Sequence, residues 1–382
     1  MQVPPPATNG PVIAGYFANW RGNPSQQINT HIICFCESTG RWTSNPRDEC
    51  VNGRADSWND QGNNLYGNFK QFYLLKQKHR HLKVSLSVGG WTWSKNFASV
   101  ACDPAKRQRF VQSSIKLIAD LGLDGVDIDW EYPKNDQEAF HYVHLLYDTR
   151  IALDAYQQQC QQLDQPRLLL TVAVPCGPEH YRKLRLTEMQ PYVDLFYLMA
   201  YDYAGAWDSK TGHQAAMFGG TLNTDQAVNY YLAAGVPSNK LVVGLPVYGR
   251  GFSNTDGPEC GFQGVPKGTW EEGQFDYKCL PKHGAVEYND HQRMASWSYD
   301  PHVRELITYD TPQIITQKCD YIKQRQLGGA MFWELSADRS PNDPRNLVNT
   351  VYQALGGRLD QMPNHLDYPN SEFDNMKNHM NL

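Results

Sequence analysis

Leu123-Asp124-Gly125-Val126-Asp127-Ile128-Asp129-Trp130-Glu131-Tyr132-Pro133 is the stretch on which the reading of this chain turns. Side chains alternate along a strand, so Asp127, Asp129 and Glu131 share one face, while Val126, Ile128 and Trp130 share the other. The apolar set suits a layer of helices, which sends the three acids to the inside of a closed sheet and leaves Trp130 in the core. Asp124 has the opposite parity and is expected to play a structural hydrogen-bonding role. Three inward acids at i, i+2 and i+4 cannot all ionise cheaply in a low dielectric. Burial and mutual repulsion are expected to keep one proton near neutral pH, as a general acid requires. A purely structural acid cluster there would waste stability, and a divalent-ion site lacks supporting His or acids elsewhere. Neither a metal nor a cofactor is expected.

Outward from this segment, short apolar runs alternate with helical patterns. The strand candidates are Val12–Phe17, His31–Cys36, Lys83–Val88, Gly125–Trp130, Leu168–Val174, Asp194–Met199, Leu241–Val247 and Gly329–Trp333. Helical patterns include Ala105–Leu121, opened by the cap Asp103-Pro104, and also Gln137–Gln158, Asp225–Ala234 and Pro312–Gln326. Eight alternating units predict an α/β fold, a (β/α)8 barrel. Its active site belongs at the carboxyl ends of the strands, where Glu131 falls. After Val247 about 65 residues pass before the next helix, rich in Gly, Phe, Trp and Tyr. That is too long for a plain loop. Residues 250–311 are therefore expected to form a small α+β insertion domain between the seventh strand and its helix, within a barrel of residues 1–249 and 312–382. The polar tail after Gly356 is expected to wrap the surface.

Composition narrows the function classes. The net charge is −5 with no basic stripe, which argues against nucleic acid and anionic membranes as partners, and no apolar run is long enough to span a bilayer. Ten Trp and twenty-two Tyr, many of the Trp beside glycine or polar residues, suit a cleft that packs flat sugar faces. Nine cysteines is an odd number, so at least one is unpaired. Cys34 and Cys36 read as small buried residues, and Cys260 could pair with Cys279. The N-terminus lacks a signal-peptide pattern, which implies an intracellular protein or a trimmed mature form of a secreted one.

Other strand ends carry matching groups. Ser85-Leu86-Ser87-Val88-Gly89-Gly90 places two serines on one face before a glycine turn. Met199-Ala200-Tyr201-Asp202, Tyr248-Gly249-Arg250 and Trp333 follow later strands. Polar and aromatic residues at so many carboxyl ends point to one shared site. Asp124-x-x-Asp127-x-Asp129-x-Glu131 and Ser85-x-Ser87-x-Gly89-Gly90 resemble the two signatures of the family 18 chitinases, and the likeness covers nearly the whole chain. Tyr248–Phe252, Trp270–Tyr277 and Leu366-Asp367-Tyr368-Pro369 look like the fungal endochitinase branch, and the insertion resembles that family's insertion domain.

The resemblance implies a glycosidase of chitin and chitooligosaccharides that works by a retaining, substrate-assisted mechanism. It implies Glu131 as acid and base, with Asp129 on the substrate's acetamido N–H. Asp127 would hold the extra proton, and Tyr201 would donate to the acetamido oxygen. It implies a groove lined by Tyr16, Phe35, Trp91, Tyr132, Met199, Asp202, Trp207, Tyr248, Arg250 and Trp333. A monomer without nucleic-acid or membrane partners is expected. Two other readings share the fold: an endo-β-N-acetylglucosaminidase acting on N-glycans, and a chitin-binding lectin. The lectins of the family lack the acid at the position of Glu131.

Overall fold

The central strand forms where its alternation demands it, at Gly125–Asp129, and every residue of it is buried. In a computed structural model, residues 10–18, 31–35, 62–160, 162 and 164–380 are described, with side chains for all of these except 18 and 31–35. Cys36 and the side chains of Cys34 and Phe35 lie outside the described residues. The strands in chain order are β1 (Val12–Ala18), β2 (His31–Phe35), β3 (Val84–Gly89), β4 (Gly125–Asp129), β5 (Leu169–Pro175), β6 (Leu195–Met199) and β7 (Leu241–Pro246). They continue as β8 (Tyr248–Phe252), β9 (Gln274–Asp276), β10 (Val286–Asp290), β11 (Ala295–Asp300), β12 (Glu305–Thr308) and β13 (Gly329–Trp333). Strands β1 to β7 with β13 make the closed (β/α)8 barrel, and β10-β11-β12-β8-β9 make a separate five-stranded sheet. Each barrel strand starts and ends within a residue or two of its sequence-based range.

Two compact units can be distinguished: Met1–Val174 with Lys183–Phe196 and Asp360–Leu382, and Pro175–Arg182 with Tyr197–Leu359. In the first, parallel registers pair Ser87 of β3 with Asp127, and Asp127 with Thr171 of β5. The helix Pro104–Leu121 begins as its sequence dictates. Asp103 accepts from the N–H groups of Ala105 and Lys106, Pro104 supplies the first turn, and Gly122 ends the helix in the left-handed region at φ 69°. In the second unit, the antiparallel sheet β8–β12 fills the stretch after β7; its helical part is one 3₁₀ turn, Tyr277–Cys279. Cys260 and Cys279 are both free thiols, so the pairing considered for them does not form. No helix among the described residues is long and apolar enough to cross a membrane.

The tail does lie at the surface, with Gln361, Asp367, Asn370 and Lys377 exposed, but it is also anchored inward. Asn364, Tyr368, Phe373, Asn375 and Met376 are buried. Several of its polar groups answer buried polar groups at the amino ends of the strands. Asn364 Nδ2 faces the carbonyls of Lys76 (3.0 Å), His79 (3.2 Å) and Leu82 (2.7 Å). Lys83 pairs with Asp360 at 2.6 Å. Asp124, the acid of opposite parity, accepts from Val84 N (2.7 Å) and His365 N (2.8 Å) and pairs with the buried Lys76 at 2.8 Å. Lys76 in turn donates to Gly122 O and to the Tyr368 hydroxyl. A buried charge is tolerated only when it is answered in this way. Asn364→Ala removes the donor for these carbonyls and is expected to cost about 2–3 kcal/mol in urea unfolding, the range for stranded buried polar groups. A loss below about 0.5 kcal/mol would mean the tail is peripheral.

Candidate active site

Within the first unit, the acid row is built from β4 and its two register neighbours. Asp127 is fully buried and receives three hydroxyls: Tyr16 of β1 (2.9 Å) and Ser87 of β3 (2.8 Å) on Oδ2, and Thr171 of β5 (2.7 Å) on Oδ1. Burial pushes the Asp127 carboxyl above the usual aspartate value, and the three hydroxyls only partly offset it. Asp129 is also buried, and its Oδ1 has no hydrogen-bond partner. Its carboxyl is held well above the ordinary range by burial, then by the charge of Glu131, then by that of Asp127. Burial thus pushes both Asp127 and Asp129 toward their protonated forms. A carboxyl held above its unfolded value stabilises the fold most when protonated. That contribution is complete below the ordinary aspartate pKa and declines as pH rises through the folded one.

Glu131 follows the strand and is partly exposed. Ser94 fixes its backbone: the Ser94 hydroxyl accepts from Glu131 N (2.8 Å) and donates to Gly90 O (2.9 Å). Gly89, at φ 122°, lies against Asp129; a Cβ there would come within 2.0 Å of the Asp129 carbonyl oxygen, so no other residue fits. Trp91, just past this turn, is 79 % exposed. Trp130 points the other way, buried and stacked on Phe97 at 5.4 Å. Tyr132 is partly exposed. Tyr16, expected in the groove lining, is 1 % exposed with its hydroxyl on Asp127, so it supports the acid row from within the barrel instead.

The second unit gathers its own set. Asp202, at φ 61°, accepts on Oδ1 from the Tyr248 hydroxyl (2.7 Å) and from Arg250 Nε (2.6 Å). The Arg250 guanidinium lies over the rings of Trp207 (5.0 Å) and Tyr248 (5.6 Å). Tyr248 is buried, and burial with the Asp202 charge keeps its phenol well above the usual value, hence protonated and donating. Tyr201 packs edge-on to Tyr248 at 6.2 Å, and Gly244 of β7 makes room for it: a Cβ there would meet its ring at 2.9 Å. Trp207 is 60 % exposed, and Met199 and Trp333 are half-buried at the ends of β6 and β13.

Sequence reasoning missed Thr171 and Ser94. Thr171 had a signal, the one hydroxyl in Leu168-Leu169-Leu170-Thr171-Val172-Ala173-Val174. Ser94 had none, because its role follows from the fold of the turn after Gly90.

A family model described as glycosyl hydrolases family 18 matches residues 12–338. Chitinase 1 of Aphanocladium album is 46% identical over 334 residues, covering 86% of this chain and 78% of that protein. Endochitinase 1 of Metarhizium robertsii is 42% identical over 391 residues, covering 97% of this chain and 91% of that protein. The solved catalytic domain of a psychrophilic chitinase B from Arthrobacter TAD20 superposes with a TM-score of 0.80 at 28% identity, covering 94% of this chain and 98% of that one.

Since the charges of Glu131 and Asp127 both raise Asp129, neutralising either lowers its titration point, and Glu131→Gln is expected to do so more than Asp127→Asn. Carbon NMR of aspartate-labelled protein reads this directly. An unmoved Asp129 in both variants would show that burial alone sets its value.

Proposed function

The chain belongs to glycosyl hydrolases family 18, and on that footing we propose how its site works as a chitinase, a glycosidase hydrolysing β-1,4 linkages of N-acetylglucosamine polymers and oligomers. The observation that carries the reading is the acid row on β4, with Asp127 saturated by hydroxyls, one oxygen of Asp129 unpaired, and Glu131 at the open end.

Retaining glycosidases commonly use a second carboxylate as nucleophile; here the substrate's own 2-acetamido carbonyl takes that part. Its oxygen attacks the anomeric carbon as Glu131 protonates the departing glycosidic oxygen, which closes a cyclic oxazolinium ion. Glu131, now ionised, removes a proton from water as the water opens that ring. Asp129 turns its unpaired oxygen to the acetamido N–H, and Asp127 holds the neighbouring proton. Tyr201 donates to the acetamido oxygen. Asp202 contacts the sugar next to the scissile bond, and Trp333 packs under the reacting ring. Trp91, Trp207 and Arg250 line the groove, with Tyr132 and Met199 beside them, while Tyr248 is buried and holds Asp202. Residues 250–311, set into a barrel of 1–249 and 312–382, act as a domain that deepens the groove for a linear polymer. The chain works as a monomer.

The lectin reading is disfavoured by the presence of Glu131 with Asp127 and Asp129. The N-glycan reading shares the acetamido chemistry but has no feature of this chain in its favour. Glu131→Gln is expected to bind chitotetraose and to lose about 10²–10⁴-fold in kcat, the usual share of general acid–base catalysis. Wild-type turnover in that variant would remove Glu131 from the mechanism. In a substrate panel, chitotetraose is expected to be cleaved with the β anomer dominant in the first minutes of proton NMR, while fully N-deacetylated oligomer and high-mannose glycopeptide resist. An initial α excess, or equal hydrolysis of the deacetylated oligomer, would overturn acetamido participation. Preference for the glycopeptide would overturn the substrate.

A further inference from the structure

Glu131 stands beyond the last rung of the ladder that holds its strand. On one side the register of β3 and β4 ends at Gly89 with Asp129, and on the other that of β4 and β5 ends at Ile128 with Val172. A side chain that hands over a proton needs a firmly placed backbone, since a misplacement of about 1 Å can cost about 10²-fold in rate. The sheet no longer supplies that hold at Glu131.

The turn after β3 supplies it instead. Gly90 N donates to Asp129 O (2.8 Å), and Trp93 N and Ser94 N both return to Gly90 O (3.1 and 3.0 Å), which folds the turn back onto the strand end. Ser94 is buried, and its hydroxyl stands among three backbone groups. It accepts from Glu131 N (2.8 Å) and faces, as donor, Gly90 O (2.9 Å) and Asp129 O (3.1 Å). A hydroxyl has one hydrogen and two lone pairs, so the hydrogen is shared between the two carbonyls while a lone pair holds the amide. Phe97, three residues on, stacks on Trp130 at 5.4 Å, which grips the residue between the two acids from its other face.

A serine serving its own turn would need only the bond to Gly90 O, the back-bond to the carbonyl four positions earlier that such residues make in helical turns. The Glu131 amide lies 37 positions away in sequence, and the bond to it has no use for the turn itself.

We propose that Ser94 is a positioning residue for the general acid: its hydroxyl bridges the turn to the Glu131 amide and so sets where the Glu131 carboxyl stands against the departing glycosidic oxygen. The assignment rests on the chitinase reading above and adds to it a residue outside both sequence signatures. Alanine at this position removes the bridge and leaves the Glu131 peptide free to shift. Proton transfer then suffers, while the exposed rings of Trp91 and Trp207 stay as they are.

Leaving groups separate the placement of the acid from general damage. A phenol departs with little help from an acid, whereas a sugar hydroxyl needs the proton. On the full chain, Ser94→Ala is expected to lower kcat/KM for chitotetraose about thirtyfold and that for an umbelliferyl chitobioside less than about threefold, with KM for chitotetraose within about twofold of wild type. Glu131→Gln is expected to show the same selectivity on a larger scale. Ser94→Cys, close in size but weaker as donor and acceptor, is expected to fall between wild type and Ser94→Ala, and it carries the test should Ser94→Ala not fold by circular dichroism. Equal losses on the two substrates in a folded variant, or none on either, would overturn the positioning role, because a general defect of fold or binding scales both alike. Loss of the fold in both variants would assign the bridge to stability and overturn it as well. A native chain that cleaves neither substrate would overturn the chitinase reading, and the role of Ser94 with it.

Discussion

Two carboxylates on one face of a buried strand, with Glu131 just beyond its end, impose the constraint around which the rest of the first unit is arranged. Asp127 and Asp129 are buried inside the barrel, and full ionisation of the row there would cost more than a domain of this size can spare. The neighbours of the strand are chosen accordingly. Ser87 and Thr171 sit in register with Asp127 on either side, and Tyr16 reaches the same carboxyl from β1. These hydroxyls can donate to a carboxylate or accommodate a carboxylic acid, so they tolerate either state without choosing one. Gly89 brings β3 close enough for Gly90 N to meet Asp129 O at 2.8 Å.

At the opposite ends of the same strands the solution is different. Asp124 is matched by a full positive charge, Lys76, and by two backbone amides, and the tail residues Asn364 and Tyr368 complete the network. There every polar group but one is answered, and the ion pair contributes order more than net stability. The contrast between the two ends is one of satisfaction. At the amino ends the unpartnered atom in that network is Asn364 Oδ1, whereas at the carboxyl ends it is a carboxylate oxygen, Asp129 Oδ1, that lacks a partner.

Most of the barrel was legible because period-2 runs and caps are local signals. Gly125–Asp129, Gly329–Trp333 and the Asp103-Pro104 helix start could be read one residue at a time. The acid row was legible for the same reason, since parity alone separates Asp127 and Asp129 from Trp130. What stayed hidden depends on contacts far apart in sequence. The tail reads as polar surface until Asn364 is seen among carbonyls more than 280 positions away, and Tyr16 reads as groove lining until its hydroxyl is found on Asp127. The thiols of Cys260 and Cys279 share a segment, but spacing carries no information on the geometry that a bridge needs.

The unequal treatment of Asp127 and Asp129 bears on the proposed chemistry. Had both been saturated with hydroxyls, Asp129 would be locked and could not turn toward an incoming amide. Had both been left bare, their repulsion would have to be met by movement of the strand. With Asp127 pinned by three donors and Asp129 held by none on Oδ1, it is Asp129 that has an oxygen left for a substrate donor in the mechanism proposed above. In that mechanism Asp129 turns toward Glu131 as an acetamido N–H donates to it. Under that proposal the row develops charge in response to an acetylated substrate, which would tie preorganisation to specificity through one side chain.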